Sequence, residues 1–127
     1  MQFVLHYGGH FVVPVLIALT FFRENWKRAA LLLLLTNLVD LDHFLADPIF
    51  AEDRCSIQYH WLHTYGFILI YLLLVFSKGW LRIIGLGLCL HMFFDLVDCL
   101  FMYDQCQACL EDAPALPLLT WLSTIIE

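Results

Sequence analysis

Residues 81–103 read LRIIGLGLCLHMFFDLVDCLFMY, an unbroken apolar run that carries His91, Asp95 and Asp98 within it. About 20 predominantly apolar residues suffice to cross a bilayer as a helix, and this run exceeds that. His91 and Asp95 are four apart and Asp98 follows three later, spacings that put all three on one helix face. An ionisable side chain in hydrocarbon is costly, so such a stripe must turn toward other protein or a polar cavity. The stretch therefore predicts a membrane helix inside a bundle, with a functional face.

Three further runs repeat the pattern. They cover residues 3–22 with His6 and His10, 29–46 with Asp40, Asp42 and His43, and 60–77 with His60 and His63. With His91 in 81–103, all six histidines of the chain fall in the four runs. With 62% hydrophobic and only 14% charged residues, the chain lies well outside the soluble globular range of about 45–50% apolar and about 25% charged. Its 127 residues make one unit. The expected fold is all-α: a polytopic membrane helix bundle, one domain over 1–127, with four transmembrane helices at about 3–22, 29–46, 60–77 and 81–103. The apolar tail 116–126 is too short to span and is expected as an interfacial helix. Residues 3–22 lack a basic start and a small-residue cleavage site, so they are read as a retained helix and not a signal peptide.

Arg23, Lys27 and Arg28 lie between the first two runs, and Lys78 and Arg82 between the last two. Only Arg54 lies on a connection of the other parity. The positive-inside rule then puts both basic turns in the cytoplasm and both termini outside, in a bacterial inner membrane. No basic patch suits a nucleic acid, and the net charge is −6. Oligomeric state is not legible. The cysteines follow the same geography, with Cys55, Cys99, Cys106 and Cys109 on the outer side and Cys89 within the last helix. Pairs Cys55–Cys99 and Cys106–Cys109 and free thiols are equally open readings.

Depth adds to the argument. Counting 1.5 Å per residue from the cytoplasmic ends puts His10 and His6 at about 18 and 24 Å. The same count gives about 16–21 Å for Asp40, Asp42 and His43, about 21–26 Å for His63 and His60, and about 15–26 Å for His91, Asp95 and Asp98. All ten groups share one layer in the outer half of the membrane. Within each run, His6 and His10, Asp40 and His43, and His60 and His63 are three or four apart, so they share a face. Asp42 points elsewhere unless the helix is ending, as an outer-rim or supporting carboxylate. Thr36 and Asn37 read as interhelical hydrogen-bonding groups. Gly8 and Gly9 leave room for a close neighbour, and Pro14 introduces a tolerated kink.

Imidazole with carboxylate is the ligand set of zinc, and of manganese or iron when oxygen is richer. The expected metal ligands are His6, His10, Asp42, His43, His60, His63, His91 and Asp95, for one or two divalent ions, zinc first. Asp40 and Asp98 are the candidate general bases. Arg54 is the outer cation available to a phosphate. Taken alone, a membrane histidine such as His10 or His43 is more often a satisfied interhelical contact. Ser56 and Thr64 lie near enough in sequence to touch a substrate, but no serine-nucleophile elbow is present.

Asp40-Leu41-Asp42-His43, the His60/His63 pair and Gly87-x-x-x-His91-x-x-x-Asp95 together resemble the YdjM-like membrane-bound metal-dependent hydrolases. The chain is similar over residues 3–100 to a small uncharacterised family of short bacterial membrane proteins. Its signatures are His-Tyr-Gly-x-His, Asp-x-Asp-His-x-x-Ala, Arg-Cys-Ser-Ile-x-x-His and His-x-x-x-Asp. The YdjM-like proteins are held akin to zinc-dependent phospholipase C and nuclease P1 enzymes. That resemblance implies His91 and Asp95 as ligands, with Asp42, His43, His60 and His63 after them, and a phosphoester substrate. The expected function is metal-dependent hydrolysis of a lipid phosphoester from the outer side, with membrane lipid as the partner. The alternatives are a metal-ion or proton transporter and a non-catalytic scaffold stabilised by metal. The apolar stretches 31–35 and 68–76 argue against a continuous transport path, and the carboxylates against a bis-histidine haem.

Overall fold

A computed structural model describes residues 2–49, 51 and 54–126, with the backbone alone at Phe3. Residues 50, 52 and 53, in the middle of the expected outer loop, lie outside the described residues. The fold is all-α, with no strand among the described residues. Helix α1 (Gln2–Tyr7) runs through a π-helical turn (Gly8–Val12) into α2 (Val13–Phe21). A short turn leads to α3 (Trp26–Leu35), which continues as a 3-10 helix over Thr36–Leu45. A loop containing the 3-10 turn Trp61–His63 precedes α4 (Tyr65–Val75). Gly79, at φ 62°, makes the tight turn into α5 (Trp80–Gln105), and α6 (Leu116–Ile126) closes the chain.

Helix α5 is the spine, and α1, α3, α4 and α6 all pack on it. Close approach depends on small residues. A Cβ at Gly85 would stand 2.7 Å from the backbone of Leu74 and Val75 in α4, and one at Gly87 2.7 Å from the Thr36 side chain. One apolar cluster gathers round Ala18, Ala29, Leu33 and Ile83. A second joins Met92, Cys99, Tyr103, Leu110 and Leu119. The outward faces are apolar too, with Leu38, Leu41, Phe44, Leu69 and Leu73 all exposed.

Among the described residues, two helical segments are long and apolar enough to cross a membrane, Val4–Phe21 and Trp80–Gln105. The other two expected spans differ from uninterrupted α-helices. In 29–46 the helix tightens to 3-10 at Thr36, whose Oγ1 donates to Leu33 O at 2.6 Å. In 60–77 the helix begins only at Tyr65, because Thr64 is extended (ψ 156°) and His60 likewise (ψ 147°). Helix α6 has 11 residues and docks on α5 through the buried Leu119 and the pair Tyr103 Oη and Thr120 Oγ1, 3.4 Å apart. Both cysteine pairings are formed, Cys55–Cys99 and Cys106–Cys109, and Cys89 is a free thiol.

Candidate metal centre

The 3-10 helix Thr36–Leu45 sets the site. At about three residues per turn, side chains three apart stand in straight rows. Thr36, Val39 and Asp42 form the buried row. Leu38, Leu41 and Phe44 form the exposed apolar row. Between them Asn37, Asp40 and His43 form a polar row that faces α5 and the loop before α4.

Four side chains from three elements converge on one point: Asp40, His63, His91 and Asp95. His91 Nε2 lies 3.0 Å from Asp40 Oδ1 and 3.3 Å from Asp95 Oδ2. His63 Nε2 lies 3.4 Å from Asp40 Oδ1 and 3.1 Å from Asp95 Oδ2. The side chains of His63, His91 and Asp95 are at most 3% exposed, whereas Asp40 keeps 45%. His63 Nε2 and Asp95 Oδ2 are fully buried, close together, and without a hydrogen-bond partner.

The outer nitrogens explain this. His91 Nδ1 pairs with Asn37 Oδ1 at 3.1 Å, and His63 Nδ1 with Asp42 Oδ2 at 3.2 Å. In neutral rings with the Nδ1 protons held there, each Nε2 would present a lone pair toward carboxylate oxygens, which a cation between them would reconcile. Zinc held at about 2.0–2.1 Å by a tetrahedron of N and O ligands has neighbouring ligand atoms about 3.3 Å apart. Four of the six separations in the quartet, 3.0–3.4 Å, fit such a set, and all six lie within 4.8 Å. The buried His/Asp cluster can thus hold a metal ion.

The other predicted residues lie around this quartet. His10 Nε2 stands 3.3 Å from Asp95 Oδ1, and His6 Nδ1 3.7 Å from Asp98 Oδ2. His43 Nδ1 meets Asp42 Oδ1 at 3.1 Å, its Nε2 meets Ser56 Oγ at 3.2 Å, and His60 stacks on it at 3.6 Å. All six histidine rings form one sequence of neighbours, in the order His6, His10, His91, His63, His43, His60, with centroids 3.6–5.6 Å apart. Asp42 faces the His63 ring edge and the Leu62 N–H, which donates to it at 2.7 Å. Asp98 accepts from Gln2 Nε2 at 2.8 Å. Arg54 donates to Pro48 O at 2.6 Å and lies over Tyr59, whose ring meets His60 edge-on. It therefore stands beyond the His60 end of the row, away from the quartet. A cleft of about 390 Å³ lined by Asp42, Tyr59, His60 and Trp61 opens at that end. A larger cavity, about 580 Å³, lies between the turns of Arg23 and Arg82 and includes no histidine.

Local sequence places these groups. Pro14 has no N–H for the His10 carbonyl, the helical partner four residues back. Asn37 Nδ2 donates to that carbonyl at 3.0 Å, so Asn37 orients His10 and His91 together. The π-turn containing His10 is the kind of irregularity that re-aims a side chain at a functional site. Gly9 lets the Phe94 ring lie against the helix beside His10. The loop carrying His60 and His63 is tied by Cys55–Cys99 and by Tyr71 Oη donating to Leu62 O at 3.0 Å. Asn37 is the interhelical hydrogen-bonding group expected from the sequence, with the added role of holding a site histidine, whereas Gln2 and Tyr71 were passed over. A polar side chain at the row position one 3-10 turn before Asp40 was the available signal for Asn37.

No curated protein and no solved structure matches the chain. Residues 1–102 match a family that carries no assigned function, and every residue of the quartet and its supports falls inside that match. With most of its length matched, the chain belongs to this family of unknown function, DUF6122.

Proposed function

We propose that this protein is a membrane-embedded, metal-dependent hydrolase in which His63, His91 and Asp95 hold a divalent cation, zinc first, and Asp40 is the general base. The observation that carries the reading is the meeting of His63 Nε2, His91 Nε2 and Asp95 Oδ2 at 3.1–3.3 Å, buried and unpaired at His63 and Asp95. Three buried protein ligands, with the fourth vertex at the part-exposed Asp40 available to water once that side chain swings aside, is the pattern of a catalytic zinc, as opposed to a closed structural one. The open side is that of Asp40.

The bundle belongs in a bilayer on this reading. Helix α3 and the 3-10 helix together rise roughly 35 Å, enough for a hydrocarbon core of about 30 Å. Helix α4 rises about 16 Å, and the loop before it completes the fourth crossing, its backbone sheltered by protein. The basic turns at Arg23–Arg28 and Lys78–Arg82 face the cytoplasm of an inner membrane, with both termini outside. The exposed row Leu38, Leu41 and Phe44 meets lipid beside Asp40. A lipid phosphoester therefore reaches the open side from the outer leaflet.

A divalent ion held by His63, His91 and Asp95 would supply Lewis-acid chemistry there, polarising a phosphoryl oxygen and lowering the pKa of a water toward about 7. Asp40, on the open side, would act as general base, taking the proton of a water attacking phosphorus while solvent protonates the departing oxygen. Asn37 and Asp42 keep the imidazoles in the tautomer that offers Nε2.

The test combines metal analysis with hydrolysis of a chromogenic phosphodiester and of phosphatidic acid in detergent micelles. Wild type should hold metal and hydrolyse one of them, and His91→Ala should lose both properties. Full metal retention in a His91→Ala, Asp95→Ala double variant would overturn the site. Metal-loaded wild type inert on every phosphoester would favour the second reading, in which Asp40 Oδ1, 3.0 and 3.4 Å from the two imidazoles, closes the ion into a structural scaffold.

A further inference from the structure

Asp95 has two faces. Its Oδ2 meets His63 and His91, and its Oδ1 lies 3.3 Å from His10 Nε2. On that second face His6, His10 and Asp95 form another group with ligand atoms within 4.8 Å of one another. His10 is 5% exposed, and neither of its ring nitrogens has a hydrogen-bond partner. His6 Nδ1 is likewise buried and unpartnered. The two rings are 4.6 Å apart, one helical turn from each other. A buried imidazole whose Nδ1 meets no partner and whose Nε2 meets only a carboxylate oxygen at 3.3 Å is costly to leave so. By contrast, the third group, Asp42, His43 and His60, is already hydrogen-bonded through Ser56, Leu62 and His63.

We propose that His6, His10 and Asp95 hold a second divalent cation, so that Asp95 bridges a binuclear centre. This rests on the reading of the first site. Charge supports it. Asp40, Asp95 and Asp98 face histidines, and every ion pair among the described residues is of the His–Asp kind, with no lysine or arginine joining them. Neutral imidazoles leave those three negative charges uncompensated, more than one divalent cation would offset. Asp98 is held on one oxygen by Gln2, which leaves Oδ2 toward His6 and makes it a positioning carboxylate for that ring. Paired metals clamping both the attacking and leaving oxygens are a recurrent solution for phosphoester cleavage.

The test uses Mn(II) alone, added to metal-stripped protein in detergent, read by stoichiometry and electron paramagnetic resonance. Wild type should bind two equivalents and give an exchange-coupled spectrum. His10→Gln should bind one equivalent and give the signal of an isolated ion, and so should His6→Ala, a milder change at a side chain that is 33% exposed. Asp95→Ala should lose coupling and most binding. One equivalent in wild type, unchanged by His10→Gln and His6→Ala, would overturn the second site and leave the first standing. No binding in wild type would overturn both.

Discussion

Asp42 accepts hydrogen bonds from His63 Nδ1 at 3.2 Å and from the Leu62 N–H at 2.7 Å, so its carboxylate fixes both the ring and the loop that carries it. A partner of this kind typically contributes 10–100-fold to metal affinity. Asp42→Ala should therefore weaken zinc binding by roughly that factor in a chelator competition, with the ion still bindable at excess. Unchanged affinity would exclude the supporting role. Asp40 makes a different prediction. Its side chain is 45% exposed and stands on the open side of the quartet. Asp40→Asn should retain the first metal while hydrolysis falls by about 10²–10⁴-fold, the usual contribution of a general base. Loss of metal with loss of turnover would instead make Asp40 a ligand. The residue types were legible from sequence, since histidine and aspartate at helical spacing inside apolar runs stand out. The division of labour between Asp40 and Asp42 was not, because it depends on which way a turn of backbone faces.

At the scale of elements, the 3-10 helix decides that facing. Asn37, Asp40 and His43 align because the period there is three and not 3.6. Inserting one alanine between Leu38 and Val39 should rotate Asp40, Asp42 and His43 by about 120° relative to Asn37 and abolish metal binding. The same insertion before α3, in the turn Arg23–Asn25, should be far milder. Equal effects would mean that the rows do not carry the site. The helix contacts are as demanding. Gly87→Val would drive its side chain into Thr36, next to the Asn37 that holds His91. Overpacking of this sort costs about 1–3 kcal/mol, so the variant should melt earlier in detergent and bind metal more weakly. An unchanged melting temperature would show that α3 has room to shift.

For the whole molecule, the loop before α4 supplies His60 and His63 with no more than a single 3-10 turn of helix, and Cys55–Cys99 ties it to the spine. A native disulfide typically contributes about 2–5 kcal/mol in small domains. A Cys55→Ser, Cys99→Ser double variant should lose stability of that order and bind zinc more weakly, because His63 loses its anchored backbone. Wild-type affinity in the double variant would show that Tyr71 and Asp42 suffice. The orientation is tested in intact cells. Cysteine placed at Ser77 should resist an impermeant maleimide, and one placed at Gln107 should react. The reverse pattern would move the metal centre to the cytoplasmic side and remove the oxidising environment that the two disulfides require.

The sequence by itself determined that the chain is all-helical, that its helices are apolar outside and polar along one stripe, and that the six histidines gather with Asp40, Asp42, Asp95 and Asp98. Those follow from composition and periodicity, which are local and additive along the chain. Tertiary structure alone decided that His60 and His63 meet the site from a loop, that Thr36 begins a 3-10 segment, and that Asp95 turns one oxygen to His10 and the other to His63 and His91. The physical reason is that a run of apolar residues reads the same whether it forms one long helix or a short helix and a sheltered loop. The choice is made by partners distant in sequence: Tyr71 Oη on the Leu62 carbonyl, Asp42 on the Leu62 N–H, and Cys99 on Cys55.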